Sequence, residues 1–165
     1  VRDKAGIPYR VVGGYATFIH VDRVDPIKAR LTADVDVAVD RADLERIREA
    51  AVAYGFQYRD VAGVDMLVEM AEPRARTAIH LIFVREKVRP DYLEAVPGFS
   101  EPMKSGDGVL IAPVADLVKM KLTSFRLKDK VHIQDLDSVG LITPEIEAGL
   151  SEAFRARLAE VRATE

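Results

Sequence analysis

VVGGYATFIH, residues 11–20, places two glycines between a short β-branched run and the first turn of a helix. A strand that turns into a helix over paired glycines lets a close neighbour approach the backbone, because no Cβ stands in the way. Working outward, residues 8–13 read as the strand and Gly14–Val21 as the helix. DRVDPIKARLTA then forms a charged connector in which Pro26 discourages further helix. The next segment, DVDVAVD at 34–40, alternates strictly, with Val35, Val37 and Val39 on one face and Asp34, Asp36, Ala38 and Asp40 on the other. Arg41–Tyr54 has helical spacing, with Leu44, Ile47, Ala51 and Tyr54 on one stripe and Gly55 as its stop.

Strands are predicted around Asp65–Met70 and Thr77–Val84, joined through AEPRAR in a hairpin. Residues 97–108 carry three Gly and two Pro and read as an irregular loop, followed by a short strand in GVLIAP. Pro113 opens a helical remainder, Val114–Arg162, with breaks near Gly140 and Pro144. The order predicts an α+β fold, a mixed β-sheet with helices packed on it. Residues 1–112 would form the sheet domain and 113–165 a helical part packed on it as one unit.

Composition bounds the chemistry. The 165 residues suffice for one domain with a substantial core, and 48% hydrophobic with 31% charged residues is ordinary for a globular protein. With no Cys, any metal must take carboxylate, carbonyl or His ligands, which favours hard cations such as Mg²⁺. A net charge of −3 argues against a general nucleic-acid coat and leaves room for a local basic groove. No apolar run approaches the roughly 20 residues of a membrane span, so a cytoplasmic location is expected. The chain opens on Val1 and runs only a few residues before its first strand, as a trimmed N-terminus would.

Asp34 and Asp36 leave the same strand face about 6.5–7 Å apart at Cα. Such a pair either faces solvent or shares a cation, and alternation alone leaves both readings open. In PVADLVKMKLTSFRLKDK, taken as one helix, Val114, Leu117, Val118 and Phe125 form an apolar stripe that also holds Lys121 and Lys128. Two lysines in register on such a face either snorkel or border an anionic cleft. His20 and His132 read as packing or surface residues, and no HExxH, P-loop or GxSxG pattern occurs. The stripe of Ile146, Leu150, Phe154, Leu158 and Val161 is expected to cover this chain's own helices.

GGYA, then R-x-T-x-D-V-D-V at 30–37, then KMKLTSFRLKD at 119–129, resembles the nucleotidyltransferase-fold superfamily over most of the chain. The nearest resemblance is to the branch with abortive-infection-type toxin nucleotidyltransferases. It implies transfer of a nucleoside monophosphate from an NTP to a hydroxyl of a protein, an RNA or a small molecule. Asp34 and Asp36 would hold Mg²⁺, and Gly13 and Gly14 would bring backbone N–H groups to phosphate. Lys121 and Lys128 would neutralise the β- and γ-phosphates, with Arg30 and Thr32 of the connector assisting. The resemblance also calls for a third carboxylate on a later strand, where TAIHLIFV has His80. Two readings of His80 stay open: a general base, or the mark of a silent member that binds nucleotide or a protein partner, as in a toxin–antitoxin pair. Glu69 would substitute only in a different register. The connector, about twenty residues from Gly14 to Asp34, is longer than in minimal members, and the helix that usually precedes the glycine strand is nearly absent.

Overall fold

The structure, a computed structural model, describes residues 6–73 and 77–164. Seven strands form one mixed sheet: β1 (Arg10–Val12), β2 (Val35–Val39), β3 (Phe56–Val61), β4 (Val64–Glu69), β5 (Ile79–Phe83), β6 (Met103–Lys104) and β7 (Leu110–Ile111). Their spatial order is β3-β4-β5-β2-β1-β7-β6. The β2–β5 and β1–β7 pairs are parallel, and the others are antiparallel. The central position of β2 explains its composition: Val37 and Val39 are fully buried, and Ala38 is the small residue that keeps the acidic face close to its cover.

Among the described residues there are six α-helices, α1 (Gly13–Val24), α2 (Leu44–Val52), α3 (Val114–Ser124), α4 (Leu127–Ser138), α5 (Pro144–Ala148) and α6 (Glu152–Ala163), and two short 3-10 turns, Pro26–Lys28 and Arg41–Asp43. One apolar cluster joins the sheet to Ala16 of α1, Ile47 and Ala51 of α2 and Leu117 of α3. A second is almost wholly helical, with Val118 and Leu122 of α3, Ile133 and Leu136 of α4, and Phe154, Leu158 and Val161 of α6. Val21 of α1 belongs to it, so α1 bridges both clusters. The Leu150–Val161 stripe is therefore buried against this chain's own helices, as expected, with Ile146 packed at its edge.

Four expectations change. The first helix runs from Gly13 to Val24, past the predicted end at Val21. β3 lies in a segment read without a strand, and its partner β4 is reached through Ala62 and Gly63, both at positive φ, the geometry of a tight primed hairpin turn. The 97–108 segment is not wholly irregular, since it contains β6. The long helix after Pro113 is two helices: Phe125 adopts φ +50, and Asp129 accepts hydrogen bonds from Arg126 N (2.9 Å) and Ser124 Oγ (2.8 Å), which fixes a new helix start. The predicted β4–β5 pairing is present and antiparallel. The connection read as AEPRAR passes through residues 74–76, which lie outside the described residues.

Candidate active site

The β1–α1 turn and β2 meet edge on, and Gly13 shows why its side chain is missing. It sits at φ +72, and a Cβ there would overlap Asp36 Oδ2 and lie 3.1 Å from Asp36 Cγ. The left-handed backbone and the carboxylate each require glycine at this position. Gly14 is packed differently. A Cβ on it would lie 3.1 Å from His132 Cε1 and 3.2 Å from Thr32 Cγ2. The paired glycines thus admit Asp36 on one side and His132 with Thr32 on the other. α1 starts with no side-chain cap and no acidic residue in its first turn, so its leading N–H groups remain available to an anion.

The parallel β2–β5 register sets Asp36 directly opposite His80. His80 Nδ1 is 3.2 Å from Asp36 Oδ1, and each side chain is about a third exposed, at 30% and 32%. His80 thus turns toward Asp36. Glu69 does not take the missing carboxylate's place. Met66 is the residue across from His80 on β4, which puts Glu69, three residues on, at the opposite face of the sheet.

Lys121 is buried on α3, with its side chain 5% exposed. Its Nζ is 2.8 Å from His132 Nδ1 and 3.9 Å from Asp129 Oδ1. Burial lowers the Lys121 ammonium to about 8, partly opposed by Asp129 and Asp36. Burial, and next the Lys121 charge, lower His132 to about 4. Burial alone would raise Asp129, but hydrogen bonds from Arg126 and Ser124 outweigh it and hold the carboxyl below its ordinary value.

Of the other predicted residues, Asp34 is exposed just before β2, and its carboxylate makes no ion pair among the described residues. Thr32 Oγ1 accepts a hydrogen bond from Asp34 N (3.2 Å) and shapes the entry to β2. Arg30 Nε is 2.7 Å from Asp135 Oδ2 of α4, and the arginine side chain is otherwise largely exposed. Lys128 is displaced. The break at Phe125 moves it from the predicted stripe to the exposed first turn of α4. His132, read as a surface or packing residue, is half-buried and packs against Gly14 and Lys121. His20 is a packing residue, buried, with Nε2 2.8 Å from Ala112 O.

Among the described residues no group of three Asp, Glu or His side chains is arranged to hold a metal ion by itself. Asp36 on β2 and Asp34, two residues earlier in the segment that enters it, would offer oxygen ligands only. They fit a hard cation that takes the rest of its shell from water and substrate phosphate.

No family model and no curated protein sequence matches the chain. Solved structures do. ANT(2″)-Ia, an antibiotic-resistance factor, aligns over 99% of this chain and 86% of its own, with TM-score 0.59 and 12% identity. Its crystal form with adenylyl-2″-tobramycin gives 0.56 and 11%, over 99% of this chain and 91% of that one. An antigenic nucleotidyltransferase-like protein from Paracoccidioides brasiliensis gives 0.60 and 17%, over 99% of this chain and 83% of that one. The Megavirus polyadenylate synthase gives 0.58 and 13%, over 87% of this chain and 30% of that one. The chain has the nucleotidyltransferase fold. The narrower resemblance to abortive-infection-type toxins rests on the motifs that carry it.

Proposed function

We propose that the chain is a Mg²⁺-dependent nucleotidyltransferase that moves a nucleoside monophosphate from an NTP to an acceptor hydroxyl, in a cytoplasmic setting. The observation that carries the reading is the meeting of Asp36 and His132 on the Gly13–Gly14 turn, with His80 against Asp36 and Lys121 against His132. Asp34 and Asp36 would hold the cation, which when bound supplies neutralisation of triphosphate charge. The uncapped N–H groups at the start of α1 receive phosphate oxygens, and the Lys121 ammonium, held against His132, balances charge on the leaving pyrophosphate. His80 donates Nδ1–H to Asp36, which leaves Nε2 free to take the acceptor's proton. The acceptor oxygen bonds to the α-phosphorus as the bond to pyrophosphate breaks. The work of the chain's own groups is positioning and charge placement.

A small-molecule hydroxyl is the first acceptor to test, because ANT(2″)-Ia, solved with adenylyl-2″-tobramycin, matches over nearly its whole length. RNA and protein acceptors follow. A second reading, a silent member that binds nucleotide or a protein partner, draws on the missing third carboxylate and the absence of a three-ligand group among the described residues. The test incubates the protein with each α-labelled NTP, MgCl₂ and candidate acceptors, beside an Asp34→Ala/Asp36→Ala variant. Transfer by the parent alone is the expected result. NTP binding without transfer would replace the enzyme reading with the silent one.

A further inference from the structure

α4 brings a second histidine into the site, three residues after Asp129. His132 presents two different edges. Nδ1 faces the Lys121 ammonium at 2.8 Å, and the edge bearing Cε1 and Nε2 lies on Gly14, where a Cβ would stand 3.1 and 3.6 Å from those atoms. An ammonium has three donors and no acceptor, so Nδ1 must accept. The proton of the neutral ring then sits on Nε2. A second ring proton would set two cations in hydrogen-bond contact, and the low affinity of this ring for that proton follows from burial and from Lys121. Nε2–H has no hydrogen-bond partner among the described residues. Its edge flanks the same turn whose uncapped N–H groups open α1.

We infer that His132 is a nucleotide-contacting residue, which fixes the Lys121 ammonium through Nδ1 and offers Nε2–H beside Gly14 to a phosphate oxygen of the NTP. The inference rests on the nucleotidyl-transfer reading and adds a residue to it. Gly14 is small because the ring must lie against the turn. The ring gives the site a neutral donor whose direction is set by a buried cation, so it binds an anion without adding a charge next to Lys121. Glutamine can reproduce both functions, accepting from Lys121 through its oxygen and donating through its nitrogen. Leucine keeps most of the volume and neither function.

Long-range ¹H–¹⁵N spectra of the histidine rings in the full chain read the tautomer, with His132→Gln assigning the signal. The expected result is the neutral Nε2–H form at pH 7, with the Nε2 signal shifting when NTPs are added in turn with MgCl₂. NTP affinity is expected to fall about ten- to a hundredfold in His132→Leu, the effect of losing a hydrogen bond to a charged group. His132→Gln is expected to stay within about threefold of the parent, and thermal melts confirm that both variants fold. A chain that binds NTP with the Nδ1–H form or an imidazolium at pH 7 overturns the inference alone, as does parent-like affinity in a folded His132→Leu. A parent with the expected tautomer that binds no NTP overturns the nucleotide reading and the contact with it.

Discussion

Replacing Gly13 with alanine separates two forces that meet at one atom. A non-glycine residue at φ +72 costs about 1–2 kcal/mol from the left-handed backbone. The new Cβ also displaces the Asp36 carboxylate, which breaks its 3.2 Å contact with His80. A hydrogen bond to a charged group is worth about 1.5–3 kcal/mol when well buried, and about 1 is appropriate for two side chains a third exposed. Gly13→Ala is therefore expected to destabilise by roughly 2–3 kcal/mol, or about 5–10 °C in Tm for a domain of this size. Urea unfolding followed by circular dichroism gives the number, and a cycle with Asp36→Ala divides it. With Asp36 removed, Gly13→Ala should cost only the backbone part, about 1 kcal/mol less. An equal cost in both backgrounds would refute the contact between turn and carboxylate.

His80→Asp sets a third carboxylate beside Asp36. Melts in EDTA should show a loss of about 1 kcal/mol from like-charge repulsion, recovered with MgCl₂; a variant indifferent to MgCl₂ would count against a cation site here. The folded Lys121 value of about 8 lies below the ordinary 10.5, so the unfolded chain holds the extra proton between them and stability rises with pH across that window. The rise is on the order of 3 kcal/mol and should vanish in Lys121→Met, read by urea unfolding of both proteins from pH 7.5 to about 10.5; parallel profiles would show that Lys121 is not buried as a cation. Arg30→Ala removes an ion pair whose arginine is 63% exposed, and should change stability by less than about 1 kcal/mol. A larger loss would mean the connector is held by that pair.

What the sequence disclosed followed from local spacing. The α6 stripe carries its pattern within one element and is buried as the pattern placed it; the alternation around Asp36 is that of β2, although Asp34 and Asp40 fall just outside the strand, and Gly13 opens the helix instead of closing the strand. His80 was singled out by the resemblance, which calls for a carboxylate at its position, and the parallel register sets it opposite Asp36. The failures fall where no residue marks the feature in the sequence. β3 turns into β4 through Ala62–Gly63, and alanine lacks the Asn or Asp that marks such a turn. The helix break has neither Gly nor Pro; it is made by Asp129 accepting hydrogen bonds from Arg126 and Ser124, so the periodicity ran on through Phe125 and carried Lys128 to the wrong face. His132 meets Lys121 only because α4 folds back beside α3, and no spacing within either helix predicts that pair.

A ¹H–¹⁵N correlation titration of the full chain with NTP and MgCl₂ tests the claim that the two glycines, the aspartates, Lys121 and His132 form one nucleotide site. The amides of Gly13, Gly14, Asp36, Lys121 and His132 are expected to shift together and saturate at one concentration, and to stay unmoved in the Asp34→Ala/Asp36→Ala variant. The result that contradicts it is saturable NTP binding with those amides unmoved and the shifts gathered elsewhere, for example along the groove of Arg10, Gly98 and Phe99.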